Sequence, residues 1–166
     1  QTFETTEYIQ SVQVDVNVDT QGDCNYFLSF SDGGEVSYAR LAVATSNSLS
    51  YNIYKDITLN NILKDSTDFI SSSDVLSGSV STGNTGIYTH TLYFNVPKQQ
   101  IEESGTYTDT LAVSLSEGLW NDIENAVSIE SQDVVFSVPV ASSQSISLEN
   151  NNFELSGSIT KEMGVL

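Results

Sequence analysis

Hydrophobic and polar residues alternate along much of the chain. The clearest case is the run Val12, Val14, Val16 and Val18, in which each valine is followed by a polar residue. Successive side chains of a β-strand point to opposite faces, so the four valines share one face of a predicted strand. Shorter runs with the same period occur at residues 26–30, 41–43, 49–53, 92–96, 111–115, 136–140, 146–148 and 153–155. About nine such strands predict an all-β fold, and a β-sandwich in particular.

The segments between these strands are less regular. Residues 57–70 predict a long loop with one helical turn, and residues 71–86 predict a flexible or hairpin-like stretch rich in Ser, Thr and Gly. Leu119, Ile123 and Val127 have the i, i+4, i+8 spacing of a short helix. Pro139 interrupts a strand pattern, which favours an edge strand or a bulge because proline cannot donate a ladder hydrogen bond.

The net charge excludes several classes of partner. The chain has 166 residues, with 5 Lys and Arg against 22 Asp and Glu, for a formal net charge of −17. We expect no nucleic-acid partner, because phosphate recognition requires clustered basic residues. No run of apolar residues is long enough to span a bilayer, so we expect no membrane insertion. The first residue is Gln1, and together with the composition this favours a secreted, processed protein.

Residues that could carry chemistry are few. Cys24 is the only cysteine and His90 the only histidine, so a zinc site lacks its ligands and an intramolecular disulfide lacks its second thiol. Asp15, Asn17 and Asp19 have the spacing of calcium ligands, but their alternation with the valines makes them one solvent-facing side of a strand. We therefore predict no catalytic residue, no cofactor and no metal, and a protein that is not an enzyme.

Four motifs in the order of a known family lie between residues 24 and 115. They are a Tyr–Phe–Gly strand and turn, an arginine, a Tyr-x-Ile-Tyr-x-Asp strand and a Gly-x-Tyr-x-Asp-Thr strand. With these the chain resembles the Spore Coat Protein U domain, the pilin family of archaic chaperone–usher fimbriae. The matching residues are Tyr26, Phe30, Gly33, Arg40, Tyr51, Ile53, Tyr54, Asp56, Gly105, Tyr107, Asp109 and Thr110.

The chain also departs from the family pattern at both ends. The preceding half-domain with paired cysteines is replaced by a single strand before Cys24. Residues 117–166 form an atypical C-terminal extension, and their pattern faintly resembles the family's opening strands, which suggests a permuted order.

The resemblance implies a fold and a function. The fold is an immunoglobulin-like β-sandwich that is incomplete and is completed by a donated strand. The function is that of a structural subunit of a secreted surface fibre, which polymerises head to tail by donor-strand complementation. The implied partners are identical subunits, a periplasmic chaperone and an outer-membrane usher, and the implied location is the cell surface.

Two terminal segments are candidates for the donated strand. Residues 8–18 have the cleanest alternation, so we predict a donor strand within 1–18, a sandwich domain over 19–166, and a subunit interface at Val12, Val14, Val16 and Val18. An ordinary internal strand is the alternative for the same residues, and 153–159 is the other donor candidate. A monomeric extracellular β-sandwich that binds carbohydrate or a cell-surface partner is the alternative function, with a β-sandwich hydrolase as a third.

Overall fold

The fold is all-β, as the alternation predicts. The structure is a computed structural model that describes residues 7–19, 22–98, 100, 103–140 and 152–155. Strands account for 58% of it, and two antiparallel sheets form a sandwich. The described helical segments are single 3-10 turns, at Val36–Tyr38, Ser66–Asp68, Ser72–Asp74 and Ile123–Asn125.

The first sheet contains the strand with the four valines. In spatial order it consists of β10 (Asn152–Leu155), β1 (Tyr8–Asp19), β7 (Thr85–Val96) and β5 (Asn52–Tyr54). β1 and β7 are antiparallel and pair along all 12 residues of each strand. β10 runs parallel to β1 on its other edge.

The second sheet is organised around one long strand. Its members are β4 (Asn47–Ser50), β3 (Leu41–Ala44), β8 (Gly105–Glu117), β2 (Cys24–Phe30), β6 (Leu76–Val80) and β9 (Val127–Val140). β9 runs along one edge of β8. β2 and β3 lie one after the other along the opposite edge, with Phe30 opposite Val113 and Val43 opposite Thr108.

The core lies between the two sheets and is built from the alternating positions. Val12, Val14, Val16 and Val18 are fully buried, whereas Gln13, Asn17 and Asp19 on the opposite face of β1 are exposed. The inner faces of β2, β7 and β8 supply most of the aromatic and aliphatic residues that pack against the valines. The predicted strand faces are therefore correct where the alternation is strict.

Arg40 stabilises the connection between β2 and β3. Its guanidinium is fully buried and donates to the backbone oxygen of Ser31 at 2.7 Å, to that of Leu63 at 2.9 Å and to the side-chain oxygen of Asn52. It also lies 4.9 Å from the centre of the Tyr38 ring. Burial lowers the pKa of Arg40 to about 10, so the side chain stays charged at neutral pH.

Two predictions about irregular segments need correction. The helix expected at residues 119–127 is a single 3-10 turn, because Val127 already begins β9. The hairpin expected within 71–86 does not form, since β6 pairs with β2 in one sheet and β7 with β1 in the other. The strand expected at 146–148 lies outside the described residues, and of the donor candidate 153–159 only the part in β10 is described.

Candidate functional site

The edge of β8 opposite β2 and β3 is covered by a single strand, β9. The two strands pair in antiparallel register along all 13 residues of β8, from Gly105 opposite Val140 to Glu117 opposite Val127. A register shift near Leu115 adds one residue to β9 there. No described strand pairs with the far edge of β9. β9 is thus an edge strand, as Pro139 predicts.

β9 inserts alternate side chains into the core. Val134, Phe136, Val138 and Val140 are each 8% exposed or less, whereas Val135 on the other face is 49% exposed. Full burial of a Val or Phe side chain contributes about 1.5–3 kcal/mol. Four such residues carry a large share of a typical net domain stability of about 5–15 kcal/mol. The sandwich therefore requires a strand at the position that β9 occupies.

Phe136 makes the central contact of this strand. Its ring stacks on Phe94 of β7 with centroids 5.8 Å apart, and its centroid lies 6.1 Å from that of Tyr51. Tyr51 and Phe94 stack on each other at 4.9 Å. The floor of the site is thus aromatic, with Phe94 in the opposite sheet and Tyr51 in the link between β4 and β5. We call the edge of β8 together with Tyr51 and Phe94 the acceptor groove.

A buried hydrogen bond orients the floor of the acceptor groove. The Tyr51 hydroxyl donates to Oδ2 of Asp109 on β8 at 2.6 Å. Burial, with the hydrogen bond to Asp109, raises the pKa of Tyr51 well above its ordinary value of 10, so the phenol remains protonated. Gly33 leaves room for this carboxylate, because a Cβ there would lie 2.9 Å from Oδ2 of Asp109. The bond links β8 to the connection between β4 and β5, beside Phe136.

Comparison with protein-family models places most of this architecture in one family. The model of the Spore Coat Protein U domain matches residues 2–114. The chain belongs to the Spore Coat Protein U family. Membership is consistent with a pilus or fimbrial subunit. No curated protein is significantly similar to the chain.

The extent of the Spore Coat Protein U match changes the interpretation of both ends. The match begins at residue 2 rather than near Cys24, so β1 belongs to the family domain. It ends at residue 114, within β8, so all of β9 lies beyond the matched segment. The strand that fills the acceptor groove is therefore contributed by the extension and not by the matched domain.

The four valines of β1 have an intramolecular place in this chain. Val12, Val14, Val16 and Val18 are fully buried, and β1 pairs with β7 on one edge and β10 on the other. Their expected position at a subunit interface concerns an assembly and stays a prediction. Within one chain they are core residues, because their strand is internal to the first sheet.

A surface cleft lies away from the acceptor groove. It has a volume of about 550 Å3 and is lined in part by Tyr38, Lys64, Phe69 and Ile70. The Tyr38 hydroxyl donates to Asp68 at 2.8 Å. Ser37 and Tyr38 both have φ of 60°, in the left-handed region that residues other than glycine rarely adopt. Such strain is concentrated at functional positions in proteins.

Of the residues that could carry chemistry, Cys24 lies in β2 and His90 in β7. Cys24 is 4% exposed, and Nε2 of His90 lies 2.9 Å from the Tyr26 hydroxyl between the sheets. Within the described ranges, no group of three or more His, Cys, Asp or Glu side chains is placed to hold a metal ion. The described part of the chain also contains no helix of the length and hydropathy needed to cross a membrane.

Sequence reasoning missed the residues that fill the acceptor groove. It recognised the alternation at residues 136–140 and the edge position of Pro139, but it did not connect them with the open edge of β8. The available signal was the coincidence of the two features, since an alternating strand at an edge is what a groove-filling strand requires.

Proposed function

We propose that the protein is a structural subunit of a secreted surface fibre, whose subunits are joined by donor-strand complementation. The observation that carries the proposal is that the edge of β8 and the aromatic floor at Tyr51 and Phe94 are covered by one strand from beyond the family domain. Family membership supports the same role. A periplasmic chaperone and an outer-membrane usher are the assembly partners that this role implies.

The physical requirement behind the proposal is the acceptor groove. Without a strand on it, β8 would present a row of unpaired N–H and C=O groups, and Phe94 would lose its stacking partner. An added strand satisfies both needs, with ladder hydrogen bonds for the edge and alternate apolar side chains for the floor. A fibre forms when this strand and the groove belong to different subunits, because such a head-to-tail contact does not close.

We assign the donor role to β9, the strand that occupies the acceptor groove, rather than to β1. β1 has neighbours on both edges, so donating it would open the first sheet. β9 has a described neighbour on one edge only, and its inward side chains lie within the groove. The four valines of β1 are accordingly part of the subunit that receives a strand.

The test is the assembly state of the purified full chain. We expect high-mass polymers that are visible by negative-stain electron microscopy and that resist detergent without heating. Phe136→Asp places a carboxylate on the aromatic floor and should abolish the polymer. Val135→Asp, one residue away on the exposed face, is the matched control and should leave it intact. A wild-type chain that remains a monomer at all concentrations would contradict the proposal.

A second candidate function is a monomeric extracellular binding module. It is favoured by the pairing of β1, β9 and β10 within the one chain, and by the 550 Å3 cleft beside the strained residues Ser37 and Tyr38. A stable monomer whose binding to a glycan array is lost on Ile70→Asp, a change at the rim of the cleft, would favour the module over the fibre subunit.

A further inference from the structure

The described backbone hydrogen bonds tie the loop between β8 and β9 to the sandwich at its first residue. The Gly118 N–H donates to the Asn25 oxygen at 2.8 Å, which fixes the end of β8 to β2. Leu119 is 50% exposed. The later backbone hydrogen bonds join residues of the loop to one another, so they do not depend on which groove β9 occupies. In these bonds the N–H groups donate to backbone oxygens three residues earlier: Asp122 to Leu119 at 3.0 Å, Asn125 to Asp122 at 3.2 Å and Ala126 to Ile123 at 3.1 Å.

The two halves of β9 differ in how they fit the acceptor groove. All four residues with 8% exposure or less lie within 134–140, the half far from the loop. The half next to the loop is largely exposed, and Oε2 of Glu130 is buried without a hydrogen-bond partner among the described residues. The four most buried residues of β9 are thus separated from Gly118 by the loop and by residues 127–133, which pair with β8 and place Ile129 against the core but are otherwise largely exposed.

A second copy of the chain offers β9 an identical groove. Every hydrogen bond between β8 and β9, and the stacking of Phe136 on Phe94, is reproduced when the two strands come from different copies. Only the path of the loop changes, which makes exchange of an identical element a low-cost route to association.

We propose that β9 is exchanged between copies, so that residues 134–140 of one subunit fill the acceptor groove of the next and residues 119–126 act as the hinge. This inference rests on the proposed function and deepens it, because it names the donated strand and makes a second copy of this chain the partner. One subunit then gives its β9 and receives another, and the chain of contacts stays open.

The experiment uses cysteines at positions that face each other across β8 and β9. Thr110 lies directly opposite Val135, and both side chains are exposed. One full-length chain carries Thr110→Cys and another carries Val135→Cys, each with Cys24→Ala to remove the native thiol. The two are unfolded, mixed, refolded and oxidised. Exchange predicts a disulfide-linked pair of chains on a non-reducing gel, lost on reduction.

A displaced pair of cysteines is the matched control. Thr106 is exposed on the same face of β8, but it lies opposite Pro139 rather than Val135. A mixture of Thr106→Cys and Val135→Cys chains should therefore give at least tenfold less linked product. Thr108→Cys with Ser137→Cys is a second facing pair, which keeps the test informative if one variant folds poorly.

A chain that carries both Thr110→Cys and Val135→Cys separates the outcomes. Polymers linked into a covalent ladder support both the exchange and the fibre. Polymers whose disulfides all lie within single chains overturn the exchange and leave the fibre standing. A closed dimer linked between chains supports the exchange and contradicts the fibre. Unlinked monomers with only internal disulfides overturn both.

Discussion

Phe136 of β9 stacks on Phe94 of β7 with ring planes 10° apart and centroids separated by 5.8 Å. The two residues belong to opposite sheets, and Phe136 alone of the two lies beyond the family domain. The contact is therefore where the extension is joined to the core of the domain.

Truncation of Phe136 should destabilise the fold strongly. Phe136→Ala removes a ring that is 2% exposed and leaves a cavity over Tyr51 and Phe94, for which we expect a loss of about 3–5 kcal/mol in the free energy of unfolding. Urea unfolding measures it. Val135→Ala, on the exposed face, should change the stability by less than about 1 kcal/mol. Equal losses in the two variants would contradict the assigned face of β9.

A charge on the inner face of β1 should unfold the chain. Val14 is fully buried in the core between the sheets, so Val14→Asp buries an unpaired carboxylate at a cost of about 3–5 kcal/mol. Gln13→Asp on the opposite, exposed face is the control and should be tolerated. Circular dichroism and thermal unfolding distinguish them. A folded Val14→Asp protein that merely fails to polymerise would instead restore β1 as the donated strand.

Arg40 should not be replaceable by lysine. The guanidinium donates to Ser31, Leu63 and Asn52 at once, and a lysine ammonium cannot reproduce this planar fork. Each buried acceptor left unpaired costs about 1–3 kcal/mol, so Arg40→Lys should lower the midpoint of urea unfolding markedly. Lys98→Arg, an exchange of the same type at an exposed position, should leave the midpoint unchanged.

His90 should make stability fall on mild acidification. Burial, together with the charge of Lys55, lowers the pKa of His90 below its ordinary 6.5 in the folded chain. Below pH 6.5 the unfolded chain therefore binds a proton that the folded chain does not, and stability declines as the pH falls. Thermal midpoints at pH 7.5, 6.5 and 5.5 measure the decline. His90→Gln should flatten it over this window, and an unchanged slope would remove His90 as its source.

Gly78 should tolerate no side chain. A Cβ at this position of β6 would lie 2.4 Å from the hydroxyl oxygen of Tyr26, whose ring is 1% exposed. Gly78→Ala must displace that ring and its contact with His90, so we expect a clear drop in the thermal midpoint. Gly86→Ala is the control, because a Cβ at Gly86 would have no atom within 4 Å outside its own chain neighbours. Similar thermal midpoints for both variants would show that the Tyr26 ring can be displaced without a loss of stability.

The sequence indicates which face of a strand is buried better than it indicates which strands pair with each other. Strict alternation identified the buried side of β1 correctly, because the period of side chains in a strand is two whatever lies beside it. The pairing of β1 with β7 and β10 depends on residues far away in the chain, and no local pattern encodes it. This is why the pairing of β9 with β8 could not be predicted, while the assignment of the donor role to β1 concerns an assembly and stays a prediction.

Two other misses have local physical causes. β6 has the sequence Leu-Ser-Gly-Ser-Val, whose small residues predict a flexible segment, yet the Tyr26 ring packed over Gly78 holds it as a strand. The spacing of Leu119, Ile123 and Val127 suited a helix, but all three side chains are exposed, so no core contact stabilises one.

The pairing of β1 with β7 also determines when the first strand can find its place. Asp19 pairs with Thr85 and Tyr8 with Val96, so the antiparallel neighbour of β1 is complete only when the chain has been synthesised as far as residue 96. Contacts between such distant segments make folding slow, and they leave strand edges open to other chains in the meantime. During that interval the four-valine face of β1 is an aggregation hazard, and a binding partner that shields it would raise the yield of folded subunit.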